Sequence, residues 1–174
     1  MCGIVGSTGI TSEKVIKRMC RTLVHRGPDS EGYYFDANMV LGMRRLKIID
    51  LETGDQPIFN GDKSIVTVFN GEIYNYEQLR NNLMNIGISL KTNSDTETIG
   101  YLYEKYGDNF VKKLRGMFAI AIWDKRKKRL VLARDRIGIK PLYYYYKNGK
   151  LIFSSEIKSI LVHPDVSKEL NFSA

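Results

Sequence analysis

The spacing of apolar positions changes several times along the 174-residue chain, and each change marks an element. An apolar stretch over residues 2–7 predicts a buried strand. Thr11 or Ser12 can cap a helix whose apolar face is Val15, Ile16, Met19, Cys20, Leu23 and Val24. A loop punctuated by Gly and Pro follows over 24–32, with Arg26 and Asp29 close enough to pair across it. Short β-branched and aromatic runs at 33–35, 39–44, 48–49, 56–59 and 64–69 predict strands. Their close spacing favours antiparallel pairing, because parallel strands need long crossovers. Asn70-Gly71 carries the signature of a hairpin turn. Asn75 with Gln78 reads as a capping box for a helix with Tyr76, Leu79, Leu83 and Ile86 on one face, stopping at Gly87. Ser94-Asp95-Thr96-Glu97 is a second capping box, and the helix it opens presents Ile99, Leu102, Tyr103 and Tyr106 before Gly107 ends it. Asp108 can cap a short helix running to Leu114.

The final third carries four strand-like segments, at 117–123, 129–133, 142–146 and 151–154, and a brief helix over 156–162. The first and third segments are apolar or aromatic on both faces, the pattern of strands covered on both sides. Strands bracketed by helices predict an α+β fold, a four-layer αββα sandwich of two mainly antiparallel sheets, in preference to a β-barrel. The length suits one domain. Its expected span is residues 1–167, with 168–174 as the start of a linker.

Composition narrows the class. Hydrophobic residues at 43% and charged residues at 26% are ordinary for a soluble globular protein. No apolar run approaches the roughly 20 residues that span a bilayer, and no secretory leader is visible, so no membrane partner is expected and the expected compartment is the cytoplasm. The formal charge of +8 invites a nucleic-acid reading. The basic residues are scattered, however, and the run over 125–129 separates two strand-like segments as a solvated turn. No nucleic-acid motif accompanies it, so nucleic acid is not an expected partner. Cys2 and Cys20 lie in no C-x-x-C or Cys/His cluster, which excludes a structural zinc site and makes no case for a disulfide framework; no metal is expected. Cys20 falls on the first helix's apolar face and reads as core.

Cys2 is different. Once Met1 is removed, Cys2 carries a thiol and a free α-amine, with ordinary pKa values of about 8.5 and about 7.7–8.0. A nucleophile and a base then sit on one residue, and His25 is not needed as a base. An intact Met1 ties the amine up in a peptide bond, so a chain retaining it is expected to be a precursor or an inactive form.

Seven motifs occur in order: Met-Cys-Gly-Ile-Val-Gly at 1–6, His-Arg-Gly-Pro-Asp-Ser at 25–30, Arg-Leu-Lys-Ile-Ile-Asp at 45–50, Asn-Gly-Glu-Ile-Tyr-Asn at 70–75, Ser-Asp-Thr-Glu at 94–97, Arg-Gly-Met-Phe-Ala at 115–119, and Ala-Arg-Asp-Arg-Ile-Gly-Ile-Lys-Pro-Leu-Tyr-Tyr at 133–144. Together they resemble the glutaminase domain of class II glutamine amidotransferases, within the N-terminal-nucleophile hydrolases, and most closely the asparagine synthetase branch. Pro28 and Glu72-Ile73-Tyr74 resemble that branch in particular, whereas Lys47 stands where it usually has serine. The synthetase half, with its Ser-Gly-Gly loop, does not occur in these residues.

The resemblance implies hydrolysis of L-glutamine to glutamate and ammonia through a Cys2 thioester. The ammonia would go to a C-terminal synthetase domain for ATP-dependent asparagine synthesis from aspartate. The alternatives are another acceptor, such as a sugar, or a non-catalytic basic binding module on the same fold. By the same resemblance Cys2 is the nucleophile, while the Asn70 side chain and the Gly71 backbone are oxyanion donors. Arg45 receives the substrate carboxylate and Asp95 its ammonium. Glu72 helps at the ammonium or fixes its loop, and Arg26 braces the N-terminal strand. No cofactor is implied for this domain; ATP and Mg belong to the synthetase domain. Homo-oligomerisation is left open. An exposed apolar or aromatic patch is expected near residues 137–146, where that domain would dock.

Overall fold

The computed structural model describes residues 1–48 and 50–169. Ile49 of the strand expected over 48–49, and residues 170–174 of the linker expected over 168–174, therefore lie outside the described residues. In chain order the strands are β1 (Gly3–Thr8), β2 (Ser30–Phe35), β3 (Met39–Arg45), β4 (Ile58–Phe59), β5 (Ile65–Ile73), β6 (Gly116–Asp124), β7 (Arg129–Arg134), β8 (Tyr143–Lys147) and β9 (Lys150–Ser154). The helices are α1 (Glu13–Arg21), α2 (Tyr76–Met84), α3 (Asp95–Tyr106) and α4 (Ile157–Leu161), with a 3-10 segment over Gly107–Lys113. One sheet has the order β2-β3-β1-β9-β8 and the other β4-β5-β6-β7, and the pairings are antiparallel.

Residue alternation explains the layering. In β6, Ala119, Ala121 and Trp123 face the first sheet, where they meet Ile4, Leu41 and Phe153. Phe118, Ile120 and Ile122 point the other way, onto Ile99, Leu102 and Phe110 from α3 and the 3-10 segment. Each face of β6 is covered, so its sequence reads as a continuous apolar run. Likewise, Val5, Val40 and Ile152 on the outer face of the first sheet pack on Ile16, Met19 and Leu23 near α1, and on Ile160 of α4. The result is the expected αββα sandwich. Truncating a central residue such as Ile120 to Ala would cost about 2–5 kcal/mol. Among the described residues, no helix is long and apolar enough to cross a membrane.

Several local expectations are corrected. Asn70-Gly71 is not a hairpin turn: β5 runs on through Ile73, with Asn70 opposite Ala119 and Gly71 opposite Phe118. Continuous pairing with β6 satisfies the backbone that a turn would otherwise close. Asn75 precedes α2 but forms no capping box, since its side chain donates to the Lys113 carbonyl at 3.0 Å and accepts from Arg115 N–H at 2.9 Å. Ser94 does cap α3, accepting from Thr96 N–H at 3.2 Å. Glu97 does not complete that box; its carboxylate accepts from Lys91 N–H and Thr92 N–H instead. Arg26 does not pair with Asp29, whose carboxylate is engaged by Lys47 N–H at 2.8 Å. Ile48 is exposed and outside any strand, and Val24 and Ile86 fall off their helical faces into solvent. The strand expected over 56–59 shrinks to Ile58–Phe59, because Pro57 has no N–H to donate. The expected coverage of β8 on both sides fails: it is a sheet edge with Tyr144 69% exposed, although Tyr145 packs against the cluster of Val5, Ile16 and Ile160.

Candidate active site

A cavity of about 310 Å³ opens where the start of β1, the end of β3, the middle of β5 and the first turn of α3 converge. Cys2, Arg45, Asn70, Gly71, Glu72 and Asp95, the six residues singled out from sequence, all line it.

Cys2 lies just ahead of β1, and its sulfur bridges both backbone groups of Leu46. It accepts from Leu46 N–H at 3.4 Å and donates toward the Leu46 carbonyl at 3.7 Å. Arg26 donates from Nε to the Cys2 carbonyl at 2.9 Å and pairs with Glu156 at 3.1 Å, so it braces the N-terminal segment as expected. Burial pushes the Cys2 thiol up, against smaller opposing pulls from Leu46 N–H, the amino terminus and Arg45. His25 faces away, with its ring against Glu156 at 2.9 Å, and it does not line the cavity.

Arg45 ends β3 and is 3% exposed. Its guanidinium meets Asp55 at 2.7 Å and donates to the Asp50 carbonyl at 2.6 Å. The 50–55 loop closes over this group only because residue 54 is glycine; a methyl there would lie 2.4 Å from Arg45 Nη2. Asp50 in turn accepts from Thr53 N–H and Asn93 N–H, both at 2.8 Å, tying the loop to the approach of α3.

Across the cavity the polar groups are less satisfied. Asn70 is 1% exposed and its Nδ2 has no hydrogen-bond partner among the described residues. Leaving a buried donor unpaired ordinarily costs about 1–3 kcal/mol. At Gly71 a methyl would lie 2.1 Å from the Met117 carbonyl, so only glycine allows β5 and β6 to approach there. Asp95, in the first turn of α3, has its carboxyl pushed up to about 6 by burial. Bonds from Ile73 N–H and Thr96 N–H pull it down less strongly, and the Glu72 charge adds to the rise. The helix N-terminus alone would have favoured the charged form.

Sequence reasoning overlooked Gln56, Thr96, Met117 and Lys140, which also line the cavity. Gln56 accepts from Phe69 N–H at 2.7 Å and donates to Thr96 Oγ1 at 3.2 Å, joining β5 to α3 beside Asn70. Such a stitch leaves no sequence signal, whereas Lys140 had one: a lone charge within Ile-Gly-Ile-Lys-Pro-Leu. Among the described residues, no group of three or more His, Cys, Asp or Glu is placed to hold a metal ion.

Relatives locate this geometry among known proteins. The chain is similar to asparagine synthetase (glutamine-hydrolysing) 2 of Bacillus subtilis (strain 168), 45% identical over 179 positions, covering 99% of this chain and 24% of that protein. Asparagine synthetase (glutamine-hydrolysing) 2 of Oryza sativa subsp. japonica is 45% identical over 166 positions, covering 92% of this chain and 28% of that protein. The chain thus spans about a quarter of the length of these relatives. The glutamine phosphoribosylpyrophosphate amidotransferase structure from B. subtilis shares the fold, with a TM-score of 0.76 at 21% identity over 92% of this chain and 43% of that one. The family model described as a glutamine amidotransferase domain matches residues 1–174, and the chain belongs to that family.

Proposed function

We propose that this chain is the glutaminase part of a glutamine-hydrolysing asparagine synthetase. The observation that carries the reading is the buried, unpartnered Asn70 amide in the same cavity as the Cys2 thiol. A donor held free beside a nucleophile suits an oxyanion that exists only during reaction.

The Cys2 sulfur attacks the side-chain amide carbon of L-glutamine, and the carbonyl oxygen becomes an oxyanion held by Asn70 Nδ2 and the Gly71 backbone N–H. Collapse of the tetrahedral species expels ammonia and leaves a thioester, which water hydrolyses to glutamate and free thiol. Because burial raises the thiol, little thiolate exists at neutral pH and a base must take its proton. His25 faces away from the cavity, so the base is the Cys2 α-amine freed by loss of Met1, acting through a water. The same amine returns the proton to the leaving ammonia. Arg45 holds the substrate carboxylate and Asp95 its ammonium, with Glu72 alongside. A substrate ammonium beside Asp95 supplies a counter-charge that favours its ionised form against burial.

The asparagine-forming reading rests on the 45%-identical relatives, which are about four times as long. In such a protein the remaining sequence would use ATP and Mg to activate aspartate for attack by ammonia. The exposed side chains of Ile137, Ile139, Tyr143, Tyr144 and Tyr146 offer an apolar surface for it to dock. A basic binding module is less well supported. Three of the five cations in the 125–129 run are matched by acids, with Arg126 on Asp62 and Glu104, Lys127 on Asp124, and Arg129 on Asp108. The deciding experiment measures glutamate and ammonia release from glutamine by a chain whose N-terminus has been weighed. Activity that persists in Cys2→Ala, or in a preparation retaining Met1, would overturn the scheme.

A further inference from the structure

One charged side chain lining the cavity has no part in that scheme. Lys140 is 5% exposed, and the loop that carries it is pinned from both sides. The Asp135 carboxylate accepts from Lys140 N–H at 2.9 Å and from Ile139 N–H at 2.8 Å. The Arg134 guanidinium donates to the Lys140 carbonyl at 2.7 Å and to the Gly138 carbonyl at 2.6 Å. Yet the ammonium that this scaffold delivers has no carboxylate partner among the described residues. Its Nζ contacts the Met1 thioether at 3.2 Å, a weak acceptor without charge.

Met1 is joined to the Cys2 nitrogen through a single carbonyl. When Met1 leaves, the thioether goes with it, and covalent reach places the new α-amine within roughly 9 Å of the ammonium. We propose that Lys140 lowers the basicity of the freed Cys2 α-amine, so that the amine is unprotonated near neutral pH. Two neighbouring cations disfavour one another, and the amine is the one that can shed its proton into the reaction.

The other cations near the amine are each paired with a carboxylate, although Arg45 still exerts a small pull at Cys2. Arg26, from the loop after α1, is matched by Glu156, and Arg45, at the end of β3, is matched by Asp55. Asp95 of α3 and Glu72 of β5 are acids, which hold a proton on the amine. An ordinary α-amine, with a pKa of about 7.7–8.0, would be mostly protonated at pH 7. At this separation a partly screened cation shifts it by on the order of one pH unit.

The inference rests on the reading of the α-amine as the base. It is tested with Met1-free enzyme by measuring kcat/KM for glutamine against pH in the parent, Lys140→Met and Lys140→Arg. Above about pH 6, where Asp95 is already ionised, the acidic limb reports the amine. In Lys140→Met that limb should move up by about one pH unit, giving roughly tenfold lower kcat/KM at pH 6.5 and parent-like values at high pH. Lys140→Arg should restore the parent limb. The pH dependence of N-terminal acylation by acetic anhydride, read by mass spectrometry, should move by the same amount without any turnover. An unmoved limb and acylation profile in a folded Lys140→Met or Lys140→Gln variant overturns the proposal. So does a rise in KM alone, which would place Lys140 against the substrate. Activity surviving in Cys2→Ala would instead overturn the reading of the site, so the two failures are distinguishable.

Discussion

On the first-sheet side of the cavity the charged groups are engaged within the protein: Arg26 holds the Cys2 carbonyl and Glu156, and Arg45 holds Asp55 and the Asp50 carbonyl. On the side built by β5 and α3, Asn70 Nδ2 has no partner and the Asp95 carboxyl is pushed up to about 6. The engaged wall fixes positions, whereas the other wall keeps capacity in reserve. Arg26 Nη2, Thr67, Thr98, Tyr145 and His163 also carry buried unpartnered atoms, so it is the position of Asn70 in the cavity, and not the missing bond alone, that suits it to a ligand.

The contrast can be attacked from its strongest point downward. Cys2 lies at the junction of the walls, and Cys2→Ala should lower glutamine hydrolysis by about a thousandfold or more, measured as glutamate release. On the reserved wall, Asn70→Ala should lower kcat by about 10²–10³ with KM within a few-fold. Since Asn70 Nδ2 makes no bond to lose, the melting temperature should move by less than about 4 °C. A large loss of stability without a kcat effect would make Asn70 a structural residue.

Asp95 gives a prediction with a pH sign. Its ordinary value is 3.8 and its folded value about 6, so the protonated form carries full stability below pH 3.8, and that stability is lost as pH rises through 6. Asp95→Asn should therefore raise stability by about 1–3 kcal/mol at pH 7.5 and leave it unchanged near pH 4, while glutamine KM rises at least about tenfold. Calorimetry at the two pH values checks the sign; a lower melting temperature at pH 7.5 would reduce Asp95 to a helix-start residue. The smallest effect belongs to the engaged wall. Asp55→Asn should change stability by less than about 1 kcal/mol, and KM by less than about threefold, because Asp55 is half exposed and the Asp50 carbonyl still holds Arg45. A tenfold KM change there would break the comparison.

The layers were legible because burial on two faces writes itself as apolar runs, as in β6. The motifs singled out six residues, from four separate stretches, that the fold gathers at one cavity. What could not be read was how polar side chains are shared. Asn75 and Glu97 looked like helix caps, but tertiary neighbours offered their oxygens better-placed donors. Tyr143, Tyr144 and Tyr146 looked buried, because an aromatic edge strand and a covered one have the same composition. Gln56 bonds β5 and α3 at once, a pairing that exists only after both are placed.

The first strand carries a consequence of another kind. β1 lies between β3 and β9, with Val5 opposite Ser154, and Ile4 N–H donates to Ser155 Oγ at 3.0 Å. β3 can pair with β1 early, but the other edge of β1 is closed only when β9 has left the ribosome. At about 5–20 residues per second the nascent chain spends on the order of ten seconds between those two pairings. The cavity beside Cys2 is likewise incomplete until Met117 and Lys140 have been added. Strand order therefore acts as a timer, withholding the assembled cavity until β9 has been made.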